Sequence, residues 1–460
     1  MTVNTPENTP DTPPIRDAAI IIGDWLIHDS GKPPERGWGV VVSGERVLAV
    51  GPGAELRARL PSAAVVDASG CVIAPGFVNA HTHMYGVLAH GIPPAAQVLD
   101  FWGFLQDYWW PQVEDALDHT MIAAATDHFC MESLLSGVTT FYDILEAPGA
   151  LRGCLEVEAE VVRRWGLRGV LSFEATQRVS RENGGEGLAE NADFIRACRA
   201  EGPGSLVHGL MCFHTTFTCS ADFIREAFRL GEALDTLVHF HCAEGRYEPE
   251  YCLKYFGKRP IEYYEWLGVL GPRAMASQCV QITPREIDLL AARAAKVTSM
   301  PLSNCEVGGG FAPLPEMDAA GITLGLGTDG YINNYFALMR AAFLMHKARR
   351  EDPSVMPADR VWHLATAGGA AALGLTHVGA LRPGYSADLI LIDSDLPTPI
   401  TAHNLREQLI LWRDPVHVAG VMVAGEWRLG QGAPAPDAQA IRARTREQAA
   451  RLWRLDAGEG

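Results

Sequence analysis

The feature that most constrains this chain is His81-Thr-His83, which ends the apolar run Cys71–Val78 within IAPGFVNAHTHMYGVLAHG (residues 73–91). Residues two apart in a strand point to the same side. His81 and His83 therefore offer two imidazoles to one point, where the strand stops. Imidazole nitrogen suits zinc, iron and related divalent metals. Neither helix capping nor turn chemistry calls for these histidines. The rest of the chain is expected to complete a half-made metal site.

A chain of 460 residues is too long for one small core, so two domains are expected. The net charge of −17 argues against a nucleic-acid partner and against an anionic membrane surface. No apolar run approaches the roughly 18–20 residues of a membrane span. Residues 1–17, MTVNTPENTPDTPPIRD, have neither a basic nor an apolar region and read as a disordered leader, not a signal peptide. The ten cysteines are scattered through apolar segments without a CxxC pair. That pattern points to a reducing, cytoplasmic setting with buried thiols.

Short apolar runs separated by Gly, Pro and charges fill residues 18–70, and the same texture returns in SADLILID (386–393) and HVAGVMVAGEWRL (417–429). Residues 18–70 and 377–435 are thus expected to pair into one discontinuous β domain. Residues 436–460 read as a C-terminal helix and tail. Between them, residues 71–376 alternate strand and helix patterns. Apolar strands recur at 72–78, 138–143, 167–175, 205–213, 236–242, 274–280, 296–302 and 322–328. Helical patterns run over 120–136 and 151–165, stopped by Gly137 and Gly166, and over 220–234. Another opens at Thr283-Pro-Arg-Glu286, a capping box with proline at the first helical position. Eight such alternations imply an α/β fold, a (β/α)8 barrel, with an open doubly wound sheet as the alternative. No G-x-G-x-x-G follows the first strand, which weakens a dinucleotide reading.

Active sites of these barrels lie at the C-terminal ends of the strands. The eight ends carry His81 and His83, Asp143, Glu174, His214, His239-Phe-His241 followed by Glu244, Gln278, Ser303-Asn304, and Asp329. Imidazoles and carboxylates at nearly every end are close to the inventory of a mononuclear metal hydrolase.

PGFVNAHTH, HCAEG, MPLSNCEVGGGFAP, LGLGTDG and PGYSADLILID together resemble the amidohydrolase superfamily. The resemblance is to its cytosine-deaminase-like, chlorohydrolase-like branch, which includes s-triazine hydrolases and guanine and adenosylhomocysteine deaminases, and it covers residues 18–430. It implies a distorted (β/α)8 TIM barrel with a small β-sandwich built from both chain ends. It makes His81, His83, His241 and Asp329 ligands of one divalent metal: zinc, with iron or manganese as alternatives. Glu244 would be the proton shuttle, and Asp329 would also accept a proton from the attacking water. A homodimer or larger homo-oligomer is implied by the resemblance alone.

One position departs from that pattern. Gln278 stands where the branch has a sixth-strand histidine, and Gln281 replaces a second common one. An amide still donates and accepts hydrogen bonds but cannot titrate near neutrality. After His214 the usual Ala-Pro-Tyr is Thr215-Thr-Phe217.

His214, Gln278 and Asn304 are candidate substrate contacts. So is Trp109, within the aromatic stretch Phe101–Trp110 that should lie over the barrel mouth as a stacking wall. Asp143 and Glu174 read as structural. SNCEVGGG (303–310) lacks the Lys-Ser/Thr of a P-loop and reads as a tight turn. The expected function is hydrolytic deamination of a small nitrogen heterocycle. Ring opening of a cyclic amide, or displacement of another leaving group, is the variant. A non-catalytic scaffold is the reading from another class, and the intact ligand set argues against it.

Overall fold

The computed structural model describes residues 18–93, 98, 100–330 and 332–454. The leader expected at 1–17 and the last six residues of the tail lie outside the described residues.

Eight parallel strand positions form the barrel. The first three strands are Phe77–Thr82, Val138–Leu145 and Arg168–Phe173. The fourth position is split at Leu210 into Val207–Gly209 and Met211–Cys212. Strands five to eight are Val238–Cys242, Ala274–Gln278, Lys296–Ser299 and Thr323–Leu326. Strands one to four pair in order, the second piece of strand four continues the pairing to strand five, and strands five to eight follow in order. A parallel bridge between Thr82 and Asp329 joins strand eight back to strand one. Nearly every residue of these strands is buried. Parallel strands with helices outside and side chains inside have no wet face, so they read as continuous apolar runs and not as alternation.

The helices follow their sequence signals. Asp118 caps His119–Leu135, Ser180 caps Arg181–Ala200 and Ser220 caps Ala221–Ala233, each side chain accepting a backbone N–H of the first turn. The Thr283–Glu286 capping box forms in both directions at the start of Pro284–Ala292. Gly166 ends Cys154–Trp165 in the left-handed region at φ 65°, where glycine carries no Cβ penalty.

A second, mixed sheet takes strands from both chain ends. Its order is Glu426–Leu429, Val418–Val423, Leu389–Asp393, Ala64–Pro75, Ala18–Leu26, Trp38–Ser43 and Arg46–Pro52, with Glu35–Arg36 paired to Ala18–Leu26. The helix Ala438–Trp453 packs back on the barrel. Its Trp453 indole donates to the Leu88 carbonyl at 2.7 Å, and Arg444 pairs with Asp127 at 2.6 Å.

Besides the fourth, expected unbroken over 205–213 but split at Leu210, two expected strands differ from the structure. The run at 72–78 is not one barrel strand, because Ala64–Pro75 belongs to the mixed sheet and the first barrel strand begins at Phe77. Gly76 marks the change of sheet. A Cβ there would lie 2.1 Å from the Thr139 hydroxyl, so only glycine lets the chain cross so close to strand two. The strand expected over 296–302 stops at Ser299, and Pro301 opens the short helix Pro301–Glu306 that holds Ser303 and Asn304. Proline at the first helical turn suits that start.

Behind strand two, Asp143 faces Glu158 of the helix Cys154–Trp165, both fully buried. Burial pushes both carboxyls up, and each accepts the other only through a shared proton. The folded pair therefore holds protons that the unfolded chain releases from about pH 4 upward, so the pair costs stability as pH rises toward and beyond neutrality. The variant Glu158→Gln supplies a permanent N–H donor to Asp143. Its melting temperature should fall less than that of the wild type between pH 6 and pH 9, with a gain at pH 9 of about 1 kcal/mol. Parallel melting curves for the two proteins would refute the shared proton.

Candidate metal centre

Strand one carries His81 on its last full turn of the pleat, and His83 lies just beyond its end. Strand five brings His241 opposite, and Asp329 follows strand eight. One ligating atom each from His81, His83 and His241 lies within 4.8 Å of the other two. His83 Nε2 is 3.3 Å from His241 Nε2 and 3.7 Å from Asp329 Oδ1. All four side chains are buried.

The partners of the outer nitrogens fix which nitrogen faces inward. His83 Nδ1 donates to the Ile144 carbonyl at 2.7 Å, which leaves the Nε2 lone pair for the centre. His241 Nδ1 donates to Glu174 Oε1 at 2.6 Å and presents Nε2 likewise. His81 Nδ1 lies 3.2 Å from His239 Nε2, while its own Nε2 is buried without any hydrogen-bond partner. An orphaned buried imidazole nitrogen, two facing Nε2 atoms and a carboxylate beside them are a donor set that fits one divalent cation. Burial holds His81 and His83 below the usual imidazole range, in the neutral form that a metal ligand requires. Burial also works against charging His241, but the Glu174 carboxylate outweighs it and raises that ring to about 9.

The strand ends that shape the site leave in an unusual conformation. Ala243, Gln278, Cys279 and Asp329 all have positive φ, from 49° to 67°. Non-glycine residues in this region cost about 1–3 kcal/mol each and cluster at functional sites. The Cys279 N–H donates to the Cys242 carbonyl at 2.9 Å and the Gln281 N–H to the Ala243 carbonyl at 2.8 Å, which ties the turn after strand six to the turn after strand five. In this turn the Gln278 amide swings to Asp329 and donates to Oδ2 at 2.5 Å. Its Oε1 is left buried and unpaired.

Glu244 follows the same turn. Among the described residues no hydrogen bond holds its carboxylate, and burial together with Asp329 pushes it up to about 8. His214 reaches the site after strand four with its ring 5.7 Å from that of His241, and its Nδ1 pairs with the Thr218 hydroxyl at 2.9 Å. Asn304 is buried in the short helix after strand seven with both amide atoms unpaired.

The aromatic stretch packs over this end of the barrel. Phe101 sits on Gly245, whose Cβ, if present, would lie 2.7 Å from the Phe101 Cβ. Trp102 stacks on Tyr247 at 4.0 Å. Trp109 packs against Tyr85, which in turn packs on His83. Trp110, not Trp109, meets His214, with ring centres 6.0 Å apart. Two clefts, of about 600 and about 560 Å3, flank the stretch, and His81, His83 and His241 line neither.

Sequence reasoning missed Trp110, and it read Glu174 as structural although its carboxylate holds His241. It also missed Arg178, which is stacked on Trp110 at 5.0 Å and pairs with Glu114, Asp115 and Glu146. The Tyr85 hydroxyl completes that network, donating to Glu114 at 2.8 Å. Glu174 stood at a strand end and was visible in that sense. Nothing in the linear sequence paired it with a histidine 67 positions on.

A parallel barrel that gathers three imidazoles and a carboxylate at one end has the donor set that metal-dependent hydrolysis requires. The chain belongs to the amidohydrolase family, whose profile matches residues 72–428. A short match to a bacterial imidazolonepropionase-like composite domain covers residues 39–63. The chain is 32% identical over 392 residues to a 5-methylthioadenosine/S-adenosylhomocysteine deaminase from Nitratidesulfovibrio vulgaris, covering 84% of this chain and 86% of that one. It is 32% identical over 355 residues to a 5'-deoxyadenosine deaminase from Methanothermobacter thermautotrophicus, covering 76% and 78%. Among solved structures, a zinc-bound adenosine deaminase from Xanthomonas campestris superposes with a TM-score of 0.84 at 25% identity, covering 95% of this chain and 99% of that one. An atrazine chlorohydrolase from Arthrobacter aurescens TC1 shares the fold, with a TM-score of 0.80 at 20% identity over 94% and 100%.

Metal dependence should be visible in stability. Zinc added to chelator-treated protein at about 100 times its dissociation constant should stabilise the fold by about 2.7 kcal/mol. His83→Ala should lose both this shift in melting temperature and the bound ion measured by elemental analysis. An equal shift in the variant would place the ion elsewhere.

Proposed function

We propose that this chain is a mononuclear zinc aminohydrolase that deaminates an adenosine-type nucleoside. The observation that carries this reading is Glu244, an unpaired carboxylate held beside the buried set His81, His83, His241 and Asp329. The named relatives at about one-third identity supply the substrate class.

The residues divide the chemistry as follows. His81, His83, His241 and Asp329 would hold the metal, which when bound polarises a water and lowers its pKa toward neutrality. Glu244, kept protonated near neutrality by its surroundings, gives its proton to a ring nitrogen of the base, and the neighbouring carbon becomes electrophilic. Water attacks that carbon. Asp329 accepts the water's proton, and Gln278 steadies the carboxylate through its bond to Oδ2. As the carbonyl forms, Glu244 takes up the remaining proton of the added hydroxyl, Asp329 gives the proton it accepted to the leaving amine, and ammonia departs. Trp110 and His214, packed edge to face with ring centres 6.0 Å apart, offer an aromatic wall for a planar heterocycle.

Gln278 supports one variant. A glutamine cannot become the cation that an imidazole becomes, so the site suits a leaving group whose departure needs no second titrating group. Displacement of a substituent other than an amine is the form this variant takes.

Glu244→Gln should bind its metal normally and lose about 10²–10⁴-fold in turnover. Ammonia release should be screened over adenosine, 5'-deoxyadenosine, 5'-methylthioadenosine, S-adenosylhomocysteine, guanine, cytosine and substituted s-triazines. Full turnover in metal-loaded Glu244→Gln would remove the proton shuttle. Product formation without ammonia would favour the variant.

A further inference from the structure

We propose that Glu174 is a positioning residue for the metal centre: its carboxylate fixes the ring of His241 and lends the ligand negative charge. The proposal rests on the metal-site reading above. Glu174 ends strand three and is only 2% exposed, and His241 Nδ1 at 2.6 Å is the hydrogen-bond partner of its carboxylate. Its own backbone is fixed, because its N–H donates to the Leu145 carbonyl at 2.7 Å. The carboxylate is thus anchored from strand two while it reaches across to strand five.

The three imidazoles are oriented by different chemistry. His83 leans on a neutral backbone carbonyl and His81 on the neutral ring of His239. Only His241 leans on a carboxylate. A hydrogen bond from imidazole to carboxylate shifts electron density onto the ring and makes the opposite nitrogen a stronger donor. It also fixes the tautomer, so that Nε2 is available without a search over ring orientations.

Glu174, His214 and His241 also place ligating atoms within 4.8 Å of one another. A second metal there would have to compete for His241, whose Nδ1 already donates to Glu174 and whose Nε2 faces His83. His214 Nδ1 is likewise engaged, by the Thr218 hydroxyl. This second group therefore acts as a hydrogen-bonded buttress and not as a second metal site.

The test compares Glu174→Gln and Glu174→Leu with the wild type. Glutamine keeps an oxygen acceptor in the same place and removes the charge, whereas leucine removes both. Zinc affinity is read by chelator competition on chelator-treated protein, and the ligand field by the visible bands of the Co(II)-substituted protein. Zinc should bind about tenfold more weakly in Glu174→Gln and about 100-fold more weakly in Glu174→Leu, the span found when such partners are removed from metal-ligating histidines. The Co(II) bands should move in Glu174→Gln while its circular dichroism stays unchanged. Wild-type affinity and an unmoved Co(II) spectrum in Glu174→Gln overturn the proposal, whether or not the leucine variant folds. Two ions bound per wild-type chain also overturn it. A wild type that binds one ion but releases no ammonia removes the deaminase reading and leaves the role of Glu174 intact.

Discussion

The site depends on the seam where strand eight meets strand one. The Asp329 N–H donates to the His81 carbonyl at 3.1 Å, and the His83 N–H donates to the Asp329 carbonyl at 3.4 Å. The Thr82 hydroxyl adds a third bond to that carbonyl at 2.8 Å. One layer down, Asn79 donates to the Thr328 hydroxyl and accepts the Thr328 N–H. These bonds close the barrel, and the same residues carry three of the four donors of the centre. Closure and site assembly are therefore one event. Gly327 makes the approach possible, since a Cβ there would sit 2.5 Å from the His81 carbonyl oxygen. The positive φ of Asp329 turns the carboxylate inward at the seam, and the backbone bonds on both sides hold it there.

The charges around the seam follow one pattern. Asp329, Glu174 and Glu244 gather near three imidazoles, and no lysine or arginine among the described residues pairs with any of the three carboxylates. Arg178 is the nearby buried cation, and Glu114, Asp115 and Glu146 hold it on the far side of Trp110. Glu174 has His241 for a partner, but no lysine or arginine among the described residues offsets Glu244 or Asp329, and buried carboxylates without a cation are costly. A divalent cation within reach of His81, His83, His241 and Asp329 would supply the missing positive charge. The protein thus keeps its own cation away from the centre and spends it on the wall, where it braces Trp110 and, through Glu114, Tyr85.

Much of this was legible in the sequence, because the signals were local. His81-Thr-His83, His241 with Glu244, and Asp329 after an apolar run each show within a few residues, and the alternation of strand and helix supplies the barrel that joins them. Thr283-Pro-Arg-Glu286 specified its own helix start. Other features were not legible, for identifiable reasons. The run around Pro75 is apolar on both sides of Gly76, so no change of pattern marks the passage from the mixed sheet to the barrel. Pro301 cut the seventh strand short, although its apolar residues continued the pattern. The bond from Glu174 to His241 is set by the stagger of strands three to five. Trp109 and Trp110 are adjacent and alike, and only the path of their helical turn decides which one meets His214.

Gln278 joins these strands of argument. In sequence it stands where the family resemblance leads to the expectation of an imidazole. In the structure it sits at φ 67°, where its backbone is committed to the turn that links strands five and six, and its amide is committed to Asp329. An imidazole at this position could also donate to Asp329, but it would bring a proton that comes and goes near neutrality. The amide donates at every pH. It therefore fixes the carboxylate and adds no titrating group at that position. Its Oε1 is a buried acceptor with no protein donor of its own among the described residues. A group that presents an N–H or O–H there gains a hydrogen bond that the protein itself does not make.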